Sequence, residues 1–405
     1  MEQGFRHYLT VTGGYWAFTI TDGAIRMLVV LYFHQLGYSP LAIAMLFLFY
    51  EFFGIVTNLV GGWLGARIGL NRCMHIGMSM QIGALLMLTV PEAWLSVGYV
   101  MAAQAFSGIA KDLNKMSAKA GVKLFMPDQS DSRLFRWVAI LTGSKNALKG
   151  AGFFIGGALL AWLEFRGALF VLAAMLFVAL AMTWVLLPRG LGKTKSRAKF
   201  SQIFSRDPQI NWLSAARFFL FGARDIWFVV GLPVYLQSVL GWTFTQVGAF
   251  LALWVIGYGF IQGIAPRVIR AVSTGEPGAG TLVVWTGVLL LLPVGIALSL
   301  QQGWDGGVVL IVGLALFGIV FAMNSATHSY LIVAWSDHDS VSMNVGFYYM
   351  ANAGGRLAGT ILSGLAYQQH GMEGCLYWSA GFILIAMLAS MKLDRLNSMT
   401  TRCSS

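Results

Sequence analysis

Charge is what this sequence has least of. Asp, Glu, Lys and Arg make up 11% of its 405 residues, where an ordinary soluble domain carries about 25%. Cysteine is nearly missing: Cys73, Cys375 and Cys403 are too few and too scattered for a disulfide framework or a thiolate metal site. Acidic residues are scarce as well, 16 against 27 Lys and Arg, for a formal net charge of +11. That surplus invites a nucleic-acid reading, but the basic residues collect in a few loops between apolar runs, which is the pattern of membrane topology. The usual catalytic signatures are also lacking: there is no GxSxG elbow, no P-loop and no HExxH. No catalytic residue, metal site or cofactor is expected. The opening residues, MEQGFRHYLT, lack a cleavable signal pattern, so the first apolar run is expected to be a retained span.

What is abundant is apolar: 57% of the residues, with a mean hydropathy of +0.70. Apolar runs fall at about 8–34, 40–64, 73–91, 94–116, 137–162 and 167–187, then at about 210–236, 245–268, 281–300, 308–334, 341–367 and 374–391. Each is long enough to cross the roughly 30 Å hydrocarbon core as a helix. The expected fold is an all-α polytopic membrane protein of twelve transmembrane helices in two pseudo-symmetric six-helix bundles. The bundles are placed at residues 1–187 and 210–391, with a basic linker at 188–209 and a tail at 392–405. Lys and Arg follow the even-numbered spans: Arg67 and Arg72, Lys119 to Arg136, Arg189 to Arg206, Arg267 and Arg270, and Lys392 to Arg402. The alternate loops are nearly free of them, Arg166 excepted, so both termini are expected to be cytoplasmic.

The halves echo each other at a spacing of about 204–210 residues. LGYSP after span one answers LGWTF after span seven, and Asn114 answers Asn324. KGAGFFIGG in span five answers RLAGTILSG in span eleven, which sets Lys149 against Arg356 and Lys145 against Asn352. Repeats of this kind bring substrate sites to their interface near the bilayer midplane.

Span five, LTGSKNALKGAGFFIGGALL, organises the reading. Lys145 and Lys149, four residues apart, share one helix face. A cation at membrane depth costs at least about 2.5–3.5 kcal/mol and persists mainly where it faces a wet cavity. The competing arrangement has both lysines snorkelling to the headgroups. Gly152, Gly156 and Gly157, with Gly150, offer a smooth face on which another helix can pack closely.

Inside the spans the polar residues are mostly basic: Arg26, Lys145, Lys149, Arg217, Arg224 and Arg356 stand against Asp22, Glu51 and Asp225. Asp22 and Arg26, at i and i+4, either neutralise each other or meet substrate. Arg224 and Asp225 are adjacent and are expected to pair with other helices, and Arg217 to snorkel. Lys149 and Arg356 are expected to lack a local counter-ion, and a cavity with surplus positive charge favours an anionic solute. Arg26, Lys145, Lys149, Asn324, Asn352 and Arg356 are therefore the candidate substrate-binding residues. Lys111, Asp112, Asn114 and Lys115 extend the polar surface. Glu51, set among aromatics in FLFYEFFGIV, and Asp22 are the candidate proton carriers, the alternative for Glu51 being a structural tie to a neighbouring cation. His328 is either a titrating group or a packing residue, and Trp94, Trp162 and Trp242 read as interfacial anchors. Residues and spacing thus reach a secondary carrier for an anion, without an ATPase of its own.

The layout resembles the major facilitator superfamily over nearly the whole chain. GGWLGARIGLNR after span two resembles that superfamily's loop signature, with Gly62, Arg67, Gly69 and Arg72 in the gating positions and Ala66 where an acidic residue is usual. GFFIGG in span five resembles the antiporter motif GPxxGG, with Phe153 in place of the proline. More specifically, YWAFTITDGAIRMLVVLYFHQLGYSPL, FYEFFGIVTNLVGGWLGARIGL, SGIAKDLNKMSAK and LTGSKNALKGAGFFIGG together resemble the ArsJ-type organoarsenical efflux permeases. That resemblance implies export of 1-arseno-3-phosphoglycerate across a bacterial inner membrane by proton antiport, which gives arsenate resistance. It also implies a functional partner, the cytosolic glyceraldehyde-3-phosphate dehydrogenase that makes the substrate. The alternatives are an uptake or exchange carrier for sugar phosphates or organic acids, and, further off, a membrane-embedded enzyme or sensor.

Overall fold

The computed structural model describes residues 2–125, 131–187, 207–272, 278–335 and 341–403. Most of the linker placed at 188–209 lies outside them. The helices in chain order are α1 (Glu2–Gln35), α2 (Pro40–Leu46), α3 (Leu48–Ile68), α4 (Leu70–Met87), α5 (Val97–Phe125) and α6 (Asp131–Leu186). They continue with α7 (Pro208–Phe228), α8 (Gly231–Ser238), α9 (Phe244–Val272), α10 (Ala279–Gln301), α11 (Gly306–Ala334) and α12 (Val341–Cys403).

Twelve passes come from these helices because two of them fold back and two passes are broken. α6 reverses at Glu164 and α12 at Gly371, so each supplies two spans. Conversely, α2 with α3 makes span two and α7 with α8 makes span seven. Among the described residues, eight stretches are long and apolar enough to cross a membrane by length and composition, the two folded-back helices counting once each. α4 and α5 fall short of that measure; α5 carries Lys111, Asp112, Asn114 and Lys115.

The turns after spans one and seven, and the break inside span seven, have local causes. LGYSP and LGWTF each place a glycine at positive φ, Gly37 at 82° and Gly241 at 68°, where a side chain would be strained. Between α7 and α8 the amides of Val230 and Gly231 leave the helical ladder and both donate to Ser363 Oγ at 3.1 Å. A break at membrane depth is tolerated where protein groups take up the backbone donors in this way.

Two compact units result, and they do not follow linear order. The first holds Met1–Leu36, Leu46–Lys199 and Thr243–Ile256; the second holds Gly37–Met45, Phe200–Trp242 and Gly257–Ser405. In the first, Tyr8, Val11, Tyr15 and Phe18 of α1 pack with Met74 and Met78 of α4, Ala110 of α5 and Leu176 of α6. In the second, Ile210 and Leu213 of α7 meet Leu282 of α10, Leu331 of α11 and Tyr348 of α12. Large apolar side chains such as Phe177, Trp184, Val185, Phe260 and Leu291 are exposed, as suits a surface solvated by lipid. Trp94 and Trp162 are exposed at the ends of spans, where an amphipathic ring sits at the headgroup level.

Glycine decides how close the helices of each unit come. A methyl group at Gly152 would lie 3.1 Å from Gly23 Cα, and at Gly156 it would lie 2.9 Å from Ala24 Cα, so α1 rests on the backbone of α6. Gly157, also on α6, faces Phe244 and Gly248 of α9. The second unit repeats the arrangement, with Gly359 of α12 against Gly222 of α7.

Candidate functional site

Close seating of α1 on α6 brings Asp22 to Lys149. Lys149 Nζ lies 3.8 Å from Asp22 Oδ2, and the Tyr50 hydroxyl of α3 donates to Asp22 Oδ1 at 2.5 Å. Arg26, one turn further along α1, donates from Nη2 to Glu51 Oε1 at 2.6 Å. Its guanidinium lies over the rings of Phe47 and Tyr50 at 5.2 and 5.1 Å. The other side of this cluster comes from α5. Lys111 Nζ sits 4.1 Å from the Tyr50 ring centroid and 3.9 Å from Asp112 Oδ2, while Lys115 Nζ donates to Asn58 Oδ1 at 2.9 Å and to Asp112 Oδ1 at 3.2 Å. Asp22, Arg26, Glu51 and Asp112 are all buried. Lys145 is half-buried one turn before Lys149.

The second unit builds a related cluster by the same packing. Asp225 of α7 accepts from Arg356 Nε of α12 at 3.0 Å and from Arg224 Nε at 2.7 Å. Each unit thus sets an acidic residue of its first span against the cation of its fifth. Arg217, two turns before Arg224, donates from Nε to Asn352 Oδ1 at 3.0 Å and from Nη1 to Ser325 Oγ at 3.0 Å and Ser325 O at 3.3 Å. Phe221 separates the two arginines, its ring centroid 3.8 Å from Arg217 Cζ and 5.0 Å from Arg224 Cζ.

These contacts correct several sequence expectations. Lys149 and Arg356 do have counter-ions, Asp22 and Asp225, on helices more than a hundred positions away. Asp22 and Arg26 each find partners on other helices, Lys149 and Tyr50 for Asp22 and Glu51 for Arg26. Of Arg224 and Asp225, both expected to pair with other helices, Asp225 does so with Arg356 of α12, while Arg224 bonds to its neighbour Asp225, its long stem folding back over Phe221. Arg217 does not snorkel; it is 5% exposed and bonds to Ser325 of α11 and Asn352 of α12.

The remaining candidates fall in different places. Asn352 joins the Arg217 network, whereas Asn324 ties α11 to α10 through Thr286 Oγ1 at 2.8 Å. Its repeat partner Asn114 bonds back to Ala110 O of its own helix. His328 is buried one turn on from Asn324. Of the gating positions, Gly69 breaks α3 from α4 at φ 92° and Arg72 is exposed. Gly62 lies in the helical backbone of α3, and the side chain of Arg67 is outside the described residues. Sequence reasoning missed Tyr50, Tyr258, Gln262 and Ser325. Tyr50 had a signal, standing beside Glu51 in an aromatic run; the other three are ordinary polar residues on separate spans.

Among the described residues the first cluster sets Arg26, Lys111, Lys115 and Lys149 against Asp22, Glu51 and Asp112. The second sets Arg217, Arg224 and Arg356 against Asp225 alone. Both are therefore positive, in surroundings where Coulomb forces act at an effective dielectric of about 20 rather than 80. Among the described residues no group of three or more His, Cys, Asp or Glu could hold a metal ion.

Comparison with known proteins gives the family. The profile of the Major Facilitator Superfamily matches residues 11–329. Among solved structures, a POT family transporter in complex with 5-aminolevulinic acid superposes with a TM-score of 0.77 at 14% identity, covering 96% of each chain. A point mutant of the nucleoside transporter NupG gives 0.74 at 12% identity, covering 96% of this chain and 99% of that one. A bacterial homologue of the iron transporter ferroportin, inward-facing, gives 0.68 at 16% identity, covering 96% of this chain and 98% of the other. At such identities these structures speak to the fold alone. No curated protein sequence matches. A profile match over most of the chain, on twelve helical passes in two glycine-packed units, means that this multi-pass membrane protein belongs to the Major Facilitator Superfamily of transporters.

Proposed function

We propose that the protein is a secondary carrier that exports an anionic organoarsenical, 1-arseno-3-phosphoglycerate, from the bacterial cytoplasm. The observation that carries the anion reading is the second cluster, where two guanidiniums, Arg224 and Arg356, share the Asp225 carboxylate and a third, Arg217, has none within 4 Å among the described residues. Guanidinium offers a planar fork that matches phosphate and carboxylate oxygens, and lysine adds a compact point charge. A phosphorylated, carboxylated pentavalent arsenical is highly anionic and calls for cations rather than thiols; Cys73 and Cys375 are buried away from both clusters' contacts. The arsenical identity and the direction of transport rest on the sequence resemblance described above.

On this reading a cytosolic glyceraldehyde-3-phosphate dehydrogenase supplies the substrate, the carrier sits in the inner membrane, and both termini face the cytoplasm. Lys149 and Arg356 are substrate ligands held in place by Asp22 and Asp225 until an anion takes over part of their coordination. Glu51 carries the coupling proton, because its carboxylate holds Arg26 at 2.6 Å and a proton there would loosen that hold. Expression in an arsenate-sensitive bacterium, with and without the dehydrogenase, tests the substrate. Resistance is expected only when both are present. Equal resistance from the carrier alone would show that bare arsenate is the solute and would overturn the proposal.

A further inference from the structure

Arg217 differs from every other cation of the two clusters. Arg26, Lys111, Lys115, Lys149, Arg224 and Arg356 each lie within 4 Å of a carboxylate, and among the described residues Arg217 does not. It is nevertheless 5% exposed, about 14 Å along α7 from Pro208 at a rise of about 1.5 Å per residue. A buried charge of this kind is costly unless it is paired. Among the described residues it touches neutral groups: the carboxamide of Asn352, the hydroxyl and carbonyl of Ser325, and the faces of Phe221 and Tyr348, with the buried His328 nearby.

The hydrogen-bond inventory is unbalanced in the same direction. Nε and Nη1 account for three of the five N–H groups, and Nη2 makes no hydrogen bond among the described residues. Ser325 Oγ, with two lone pairs, is approached by three donors: Arg217 Nη1 at 3.0 Å, the Tyr258 hydroxyl at 3.2 Å and Gln262 Nε2 at 3.3 Å. Donors from spans seven and eight therefore converge on one hydroxyl oxygen of span ten. A net positive, donor-rich and acceptor-poor group of side chains is complementary to a group that brings several acceptor oxygens and negative charge. A tetrahedral oxyanion does so, and it would have no acidic side chain to displace here.

We propose that Arg217, with Tyr258, Gln262 and Asn352, forms an oxyanion site within the second unit that takes the phosphoryl end of the solute. The Ser325 hydroxyl stands in for one ligand oxygen while the site is empty. This rests on the reading of the chain as an organic-anion carrier and names the group that this part of it recognises.

The test is calorimetric binding of inorganic phosphate, 3-phosphoglycerate and glycerate to the full-length purified protein, with thermal melting as the check on folding. The parent protein is expected to bind phosphate and 3-phosphoglycerate and to bind glycerate at least tenfold more weakly. Arg217→Gln is expected to lose at least tenfold in affinity for the phosphorylated probes, since a charge-assisted contact is removed. Tyr258→Phe is expected to lose about threefold, a single neutral hydrogen bond. Ser325→Ala is expected to tighten phosphate binding, because it releases three donors; a purely structural role predicts destabilisation with no gain in affinity. If Arg217→Gln fails to fold, the Tyr258→Phe and Ser325→Ala pair decides, and unchanged affinity in both overturns the site. Parental affinity in a folded Arg217→Gln, equal binding of glycerate, or no phosphate binding by the parent would each overturn it too. Loss of phosphate binding in Arg217→Gln by a protein that exports no arsenical would leave this site standing and sink the proposed function instead.

Discussion

Glu164 is the one non-glycine residue at positive φ among the described residues, with φ 57° and ψ −178°. It turns α6 back on itself between spans five and six. The matching turn in α12 uses Gly371 at φ 65° and ψ −155°, within the repeat spacing. That region of backbone space is open to glycine and costs any other residue about 1–3 kcal/mol. Glu164→Gly is therefore expected to raise the thermal midpoint of the purified protein, by the equivalent of about 1–3 kcal/mol less the entropy glycine adds to the unfolded chain. A midpoint at or below the parent's would mean that the Glu164 side chain contributes more than its backbone costs. At this scale the sequence showed the ingredients of the clusters and concealed their pairing. Lys149, Arg356, Asp22 and Asp225 stand out as charges in apolar runs. Helical spacing, however, links Asp22 only to Arg26, whereas the carboxylate that meets Lys149 arrives from another helix. Arg217 was the least legible, because what distinguishes it is the lack of a carboxylate within 4 Å among the described residues, and such a lack has no local motif.

Helices carry the pseudo-symmetry. Spans one and five of the first unit, and seven and eleven of the second, pack backbone against backbone at glycine, and that approach presents each aspartate to its cation. Gly152→Ala is expected to destabilise by about 1–3 kcal/mol, since its methyl would meet Gly23 Cα at 3.1 Å and the Ile20 carbonyl closer still, and backbone cannot step aside cheaply. It is also expected to weaken substrate binding by moving Lys149 away from Asp22. Gly257→Ala, on α9 with nothing within 4 Å of the added carbon, is the control and is expected to be neutral or slightly stabilising. Similar thermal melts for the two variants would show that the close contact is not what holds α1 on α6. Element positions were readable from apolar run length and from the LGYSP and LGWTF turns. Hidden from the sequence was the grouping by contact: residues 37–45 lie with the second unit and residues 243–256 with the first. Such exchanges depend on which faces meet, and apolar runs that are hydrophobic all round do not say which face that is.

At the scale of the whole molecule, the charge balance distinguishes this carrier from a passive scaffold. A chain with 11% charged residues keeps many of its cations inside its spans, each at a cost of a few kcal/mol. Carboxylates are fewer than cations in both clusters, so binding a polyanion improves the balance rather than disturbing it. Release then requires a competing change, for which protonation at Glu51 is the candidate. Glu51→Gln is expected to abolish proton-driven efflux while leaving exchange of internal for external solute partly intact, measured in proteoliposomes. Undiminished gradient-driven efflux in that variant would move the proton site to Asp22.

The most direct test of an anion exporter uses everted membrane vesicles, whose outer face is the cytoplasmic one. Glyceraldehyde-3-phosphate labelled with phosphorus-32, arsenate, the nicotinamide cofactor and the dehydrogenase are supplied outside, and label retained inside is counted. The account expects label to accumulate only in vesicles containing the carrier, only when arsenate is present, and to be lost when a protonophore collapses the gradient. Accumulation that ignores arsenate, or that appears in right-side-out vesicles instead, would contradict it.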